Sequence, residues 1–173
     1  MTKHNCARFL AIVVTTLGTG ITLAAEPKDS SRKSEGLEIH LIVTAKGGEL
    51  FRTWNNPTGR PFKIDPVKVA QRGPMLSAVV LFKGCKPDPA GNCDVDLDIV
   101  AYDPAGKVYG EMKGVELWKE KAAPAPGFMQ LGMDYMGIVI EPKDPSGTYR
   151  ISAVARDRIA KSESKSSISF EVK

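Results

Sequence analysis

Two cysteines, Cys85 and Cys93, close the ends of the stretch KPDPAGN, and the runs on either side of them constrain the fold most. Before them, Met75 to Phe82 (MLSAVVLF) is nearly continuous apolar sequence of strand length, set off by Gly73-Pro74 and Gly84. β-branched and aromatic content over so short a run indicates a buried strand rather than a helix. After them, Asp94 to Tyr102 alternates, with Val95, Leu97, Ile99 and Ala101 on one side and Asp94, Asp96 and Asp98 on the other. That is the pattern of a half-buried antiparallel strand with one wet face. Asp103-Pro-Ala-Gly106 is a turn by composition, and Lys107 to Tyr109 begins a return strand. Antiparallel neighbours bring Cα atoms into disulfide range. Closing so short a loop is worth about 2.5 kcal/mol on chain entropy. Seven intervening residues do not make a redox CxxC, so the pair is expected to be a structural staple.

The N-terminus agrees with an oxidising compartment. Lys3 and Arg8 precede an uncharged apolar and small-residue stretch from Leu10 to Leu23, and Thr22-Leu-Ala-Ala25 offers small residues for cleavage. Residues 1–25 therefore read as a cleavable signal peptide, too short and too Gly/Thr-rich to span a membrane. Cys6 lies upstream of the apolar stretch, where a lipidated cysteine would not be, and its removal leaves an even pair. Residues 26–36 are charged and Ser-rich, a flexible spacer, and residues 37–173 suffice for one domain with its own core. Loss of Lys3 and Arg8 lowers the formal charge from +4 to +2. Such a mixed balance gives no footprint for nucleic acid, and nothing beyond the leader is expected to embed in a membrane. The expected location is periplasmic or secreted.

The rest of the chain is short strands and turns. Leu37 to Thr44 is a strand, and Lys46-Gly-Gly48 is a turn leading into Leu50 to Trp54. Trp54 to Pro61 is irregular, and Pro66 demotes Phe62 to Ala70 to an edge or irregular segment. Val115 to Lys121 fits either a short strand or one helical turn, and Ala122 to Gly127 is a proline-rich loop. Phe128 to Met133 and Met136 to Ile140 read as strand segments interrupted near Asp134. Asp144 to Gly147 repeats the D-P-x-G turn. Tyr149 to Arg156 is a strand, Asp157 to Lys165 a polar hairpin connection, and Ser167 to Lys173 the closing strand. About seven to nine strands with no long helical period predict an all-β, antiparallel β-sandwich.

DPSGTY places Tyr149 just after a tight turn at the entrance to the penultimate strand, and SISFEVK ends the chain after a polar hairpin. Over Met75 to Lys173 this resembles an immunoglobulin-like domain, and the whole is similar to a bacterial periplasmic protein carrying one. The resemblance implies two packed sheets and a structural tyrosine corner at Tyr149. It departs from antibody domains in its cysteines, which are neighbours in the chain rather than partners across the sheets. No activity travels with a fold-level likeness.

Candidate chemistry is sparse. Asp94, Asp96 and Asp98 invite calcium, with Asp88 or Asp103 completing a site. Alternate strand residues stand about 6.5–7 Å apart, however, too far to close on one ion unaided. The EF-hand pattern fails, with Ile99 and Ala105 where Gly and Glu belong. Met129, Met133 and Met136 with His40 suggest copper, but strand spacing sends Met136 to the opposite side. No nucleophile motif, phosphate loop or zinc spacing is present, so neither an enzyme nor a cofactor is expected. Trp54, Asn55, Asn56, Arg60 and Trp118 form the candidate interaction surface, because rigid aromatics beside irregular segments anchor partners or stack on sugars. Alternatively, the same rings cap the open end of the core. The expected function is a non-enzymatic module for a protein partner in the cell envelope; the alternative is a calcium-, copper- or carbohydrate-binding accessory domain.

Overall fold

The computed structural model describes residues 36–56 and 63–173. The expected signal peptide (1–25), all but the last residue of the expected spacer (26–36) and Arg60 lie outside these. The elements are β1 (Glu38–Thr44), α1 (Gly47–Asn55), β2 (Val69–Ala70), β3 (Met75–Lys83), β4 (Asn92–Tyr102), β5 (Val108–Ala122), β6 (Gln130–Val139), β7 (Gly147–Asp157) and β8 (Ser162–Val172). They form two sheets, β1-β3-β6 and β2-β8-β7-β4-β5: the β-sandwich that the alternation predicts, with the immunoglobulin-like character that the resemblance implies. All pairings are antiparallel except β2–β8, where Val69 and Ala70 run parallel to Glu171 and Val172. The exception follows from the route of the chain, which leaves β1 in one sheet and joins the edge of the other.

Alternation fixes the core. Cys93, Val95, Leu97, Ile99 and Ala101 of β4 face Ile39, Leu41 and Val43 of β1, together with Leu76, Ala78, Val80 and Phe82 of β3, in one cluster. β3 lacks a wet face because α1 covers its other side. Leu50 of α1, Val79 of β3 and Leu131 of β6 form a second cluster, with Phe51, Trp54, Ile64 and Tyr135 packed around it. Leu50, Phe51 and Trp54 share a helix face by their spacing. Gly47 allows the approach, since a Cβ there would lie 2.2 Å from Ser77 Oγ. Glu49 in the first turn complements the helix dipole, and Asn56 closes the last turn through its N–H to the Arg52 carbonyl.

Four expectations change. The sequence reading contained no helix, because over nine residues a helical period is too short to stand out. Val115 to Lys121 is neither a short strand nor a helical turn but the second half of the fifteen-residue β5. The two segments around Asp134 are one strand, β6, whose register shifts between Val79 and Leu81 of β3. Gly132 at that irregularity lets Leu117 approach, since its Cβ would sit 2.5 Å from Leu117 Cδ1. The hairpin connection is only residues 158–161, because Ser162 to Lys165 already pair with β7.

Cys85 and Cys93 form the expected disulfide, with Cα atoms 6.1 Å apart. Tyr149 is 1% exposed and donates its hydroxyl to the Pro145 carbonyl at 3.0 Å. Its ring stacks on Phe170 at 5.7 Å and meets Tyr109 edge-on at 5.4 Å. At the same end, the Tyr109 hydroxyl lies 2.5 Å from Asp144 Oδ2 and 2.7 Å from the Val139 carbonyl. Burial, with the Asp144 carboxylate beside it, pushes the Tyr109 hydroxyl above its ordinary value. The same hydroxyl and the Glu141 N–H hold Asp144 below its own. Tyr149→Phe should lower unfolding stability by about 1 kcal/mol through the lost hydroxyl bond, read by urea denaturation. An unchanged midpoint would mean that the Pro145 carbonyl is satisfied without it.

Candidate interaction surface

The three aspartates of β4 stand on the outer face of the five-stranded sheet, opposite β7. Two arginines lie between their carboxylates. Arg156 Nη1 is 2.8 Å from Asp98 Oδ2 and 3.9 Å from Asp96 Oδ1. Arg158 donates from Nε and Nη2 to Asp96 Oδ2 at 3.0 and 2.6 Å, and its Nε is 3.9 Å from Asp94 Oδ1. Asp98 Oδ1 also accepts the Gly114 N–H at 2.8 Å. Burial pushes the Asp98 carboxyl up, but the Gly114 N–H and Arg156 outweigh it and hold it below the ordinary value. The calcium expectation for Asp94, Asp96 and Asp98 is corrected accordingly: guanidinium nitrogens occupy the positions between the carboxylates that an ion would need. Among the described residues, no group of His, Cys, Asp and Glu is arranged to hold a metal.

Beyond this ladder, three connections meet at one end of the sandwich: the stapled β3–β4 loop, the proline-rich β5–β6 loop and the β7–β8 hairpin. Asp157, 1% exposed, joins the first to the third. Its Oδ2 accepts the Lys86 N–H at 2.7 Å, and its Oδ1 accepts those of Ile159 and Ala160 at 2.9 and 2.8 Å. The Arg158 N–H donates to the Asp94 carbonyl, and the Ala123 N–H donates to the Gly91 carbonyl at 3.0 Å, which ties in the proline-rich loop. Asp88 Oδ1 takes the N–H groups of Ala90 and Asn92, bracing the stapled loop from within. On this platform Phe128 is 69% exposed. Beside the hairpin, Arg156, Asp157, Arg158, Lys161, Ser162 and Glu163 line an open depression of about 490 Å³.

Of the described residues in the expected surface, Trp54, Asn55 and Asn56 lie together at the end of α1, while Trp118 lies in β5. Trp54 lies in α1, half-buried in the second cluster, rather than at the start of an irregular segment. Asn55 and Asn56 are exposed at the helix end, where Asn56 closes the last turn through its backbone N–H. Trp118 packs on the main core instead, its ring 5.5 Å from Phe82 and its Nε1 donating to the Ala122 carbonyl. That ring is half-buried against Phe82, with Lys121 Nζ 5.0 Å from its centroid. Met136 is buried while Met133 is exposed, and His40 pairs with Glu38 at 2.7 Å, so the copper candidates do not converge. Sequence reasoning missed Asp157, Arg158, Lys161 and Phe128. One signal was available: Arg156 and Arg158 alternate at the same spacing as the aspartates they meet.

No family model matches the sequence, and no curated protein does. Among solved structures, the chain is similar to Pseudomonas fluorescens alkylpurine DNA glycosylase AlkC bound to DNA containing an abasic site analog. Identity there is 15%, coverage 79% of this chain and 30% of that one, and the TM-score 0.42. A family 123 glycoside hydrolase from Clostridium perfringens gives 11% identity, 78% and 27% coverage, and a TM-score of 0.44. The CARDB domain of a Pyrococcus furiosus protein, in complex with di-metal ions, gives 12% identity, 80% and 86% coverage, and 0.35. The chain thus spans under a third of the first two proteins, and what they act on belongs to them.

Asp157→Asn should cost about 1–3 kcal/mol by chemical denaturation, because an amide nitrogen would face a backbone donor in a buried site. A loss within error would mean that water replaces the carboxylate. Asp98 also makes acid stability testable. Its folded value is depressed, so its contribution is complete above the ordinary 3.8 and is lost as pH falls through the lower folded value. Melting temperature followed into acid should therefore fall less steeply for Asp98→Asn than for the wild type. Parallel curves would show that Asp98 titrates alike in both states.

Proposed function

We propose that this chain is an exported, non-enzymatic interaction module that engages a protein partner in the cell envelope through its stapled loop end. The observation that carries this reading is Phe128, a large apolar side chain left exposed on a loop fixed to the disulfide-closed loop beside it. Apolar anchors surrounded by polar groups on rigid loops are how sandwich domains recognise proteins. Rigidity matters energetically, since a loop already ordered has less entropy to lose on binding. The disulfide accords with an oxidising compartment, and the leader-like residues 1–25 accord with export. His40, the single histidine outside that leader, directs its Nε2 to Glu38, and both cysteines of the domain are joined to each other.

Affinity capture from an envelope fraction, using wild type and Phe128→Ala side by side, tests the site. Capture should fall by about tenfold or more, as removal of an interface anchor does, with the melting temperature unchanged. A folded variant that captures as well as wild type would remove the loop end from the interface. The exported protein should begin at Glu26 on N-terminal sequencing; a chain retaining Met1 would overturn the export reading.

A further inference from the structure

The geometry points to a carboxylate-binding site in the depression beside the β7–β8 hairpin, taking an acidic segment of the partner protein; it rests on the reading that this end meets a protein. A guanidinium carries five N–H donors. Arg158 uses Nε and Nη2 on Asp96, and Arg156 uses Nη1 on Asp98. Arg158 Nη1 and Arg156 Nη2 have no hydrogen-bond partner among the described residues, both arginines line the depression, and Arg156 Nε stands 3.9 Å from Glu163 Oε2. Lys161, on the same rim, makes no ion pair there and holds a left-handed backbone, φ 55°, that glycine adopts more readily.

The two carboxylates that line the depression are already engaged. Asp157 spends both oxygens on three backbone N–H groups, and Glu163 pairs with Lys165 at 2.8 Å and, more loosely, with Arg156 Nε at 3.9 Å. The aspartates behind the arginines play a different part. With side chains only 15% and 22% exposed, Asp96 and Asp98 hold the guanidinium groups in place before any ligand arrives. Such preorganisation favours bidentate recognition of a planar anion. It also limits the charge that fits. Three aspartates on β4 oppose the cations, so the local field is close to balanced and a polyanion such as nucleic acid gains little. Among the lining side chains themselves, three cations face two carboxylates, so a single carboxylate of an Asp or Glu side chain matches the donors better than a polyanion does.

Fluorescence anisotropy with a labelled oligoglutamate peptide, on the full folded protein and at several salt concentrations, tests this. Wild type should bind saturably and more weakly as salt rises. Lys161→Gly and Arg158→Gln should each bind about tenfold more weakly, as loss of one charge-assisted hydrogen bond implies. Lys161→Gly is the decisive variant, because it removes the cation while easing the backbone and should leave the melting temperature undiminished. Lys107→Gln, at the opposite end, should bind as wild type does. No binding by wild type, or undiminished binding by both cation variants, overturns the assignment. So does tighter binding of a DNA duplex than of the peptide, which would mark a phosphate site. If the peptide fails while Phe128→Ala still abolishes partner capture, the carboxylate site falls and the interaction module stands.

Discussion

β3 carries apolar side chains on both faces, and keeping both from water dictates much of the remaining architecture. On one side Leu76, Ala78, Val80 and Phe82 meet the opposite sheet; on the other Val79 needs a cover that no third sheet supplies. The chain provides it immediately after β1, as a helix just long enough to lay Leu50, Phe51 and Trp54 across the strand. Its modest length makes that helix dependent on the sheet, since nine residues alone would not hold helical structure in water. The aromatic residues of the segment are committed to this role, and the outer face of the three-stranded sheet is thereby spent on stability.

The stapled end is built on another principle. Few apolar contacts are available to loops, so their order comes from a disulfide, a buried carboxylate and strand-like backbone bonds between connections. Asp157 is central because one carboxylate satisfies a donor from the stapled loop and two from its own hairpin turn. A buried charge is tolerable only when hydrogen bonds surround it, and three backbone N–H groups do so here.

Much of the fold was legible in the chain. Strict alternation in β4, the D-P-x-G turns and the local cysteine pair each point to one physical arrangement, and the structure has that arrangement. What was illegible depended on partners distant in sequence. Trp54 gave no sign of whether it faced solvent or a sheet, because that depends on β3 and β6 packing beneath it. The acidic run DVDLD has the look of a metal site until Arg156 and Arg158 are placed opposite, some sixty residues later. Phe128 was legible as a strand residue only; it instead closes a turn, its N–H donating to the Ala125 carbonyl, ahead of β6.

The irregularity of β5 has a consequence for how copies of this protein behave in company. Its pairing to β4 shifts register at four places, and Gly114 and Glu120 take left-handed conformations along it. The row of backbone groups it turns outward is therefore broken, while β2, at the far side of that sheet, is two residues long. In the other sheet, Ser166 Oγ accepts the Leu41 N–H of β1, and the Tyr109 hydroxyl lies against the Val139 carbonyl of β6. Among the described residues each sheet edge is thus interrupted, bonded or short, which works against the addition of a neighbour's strand.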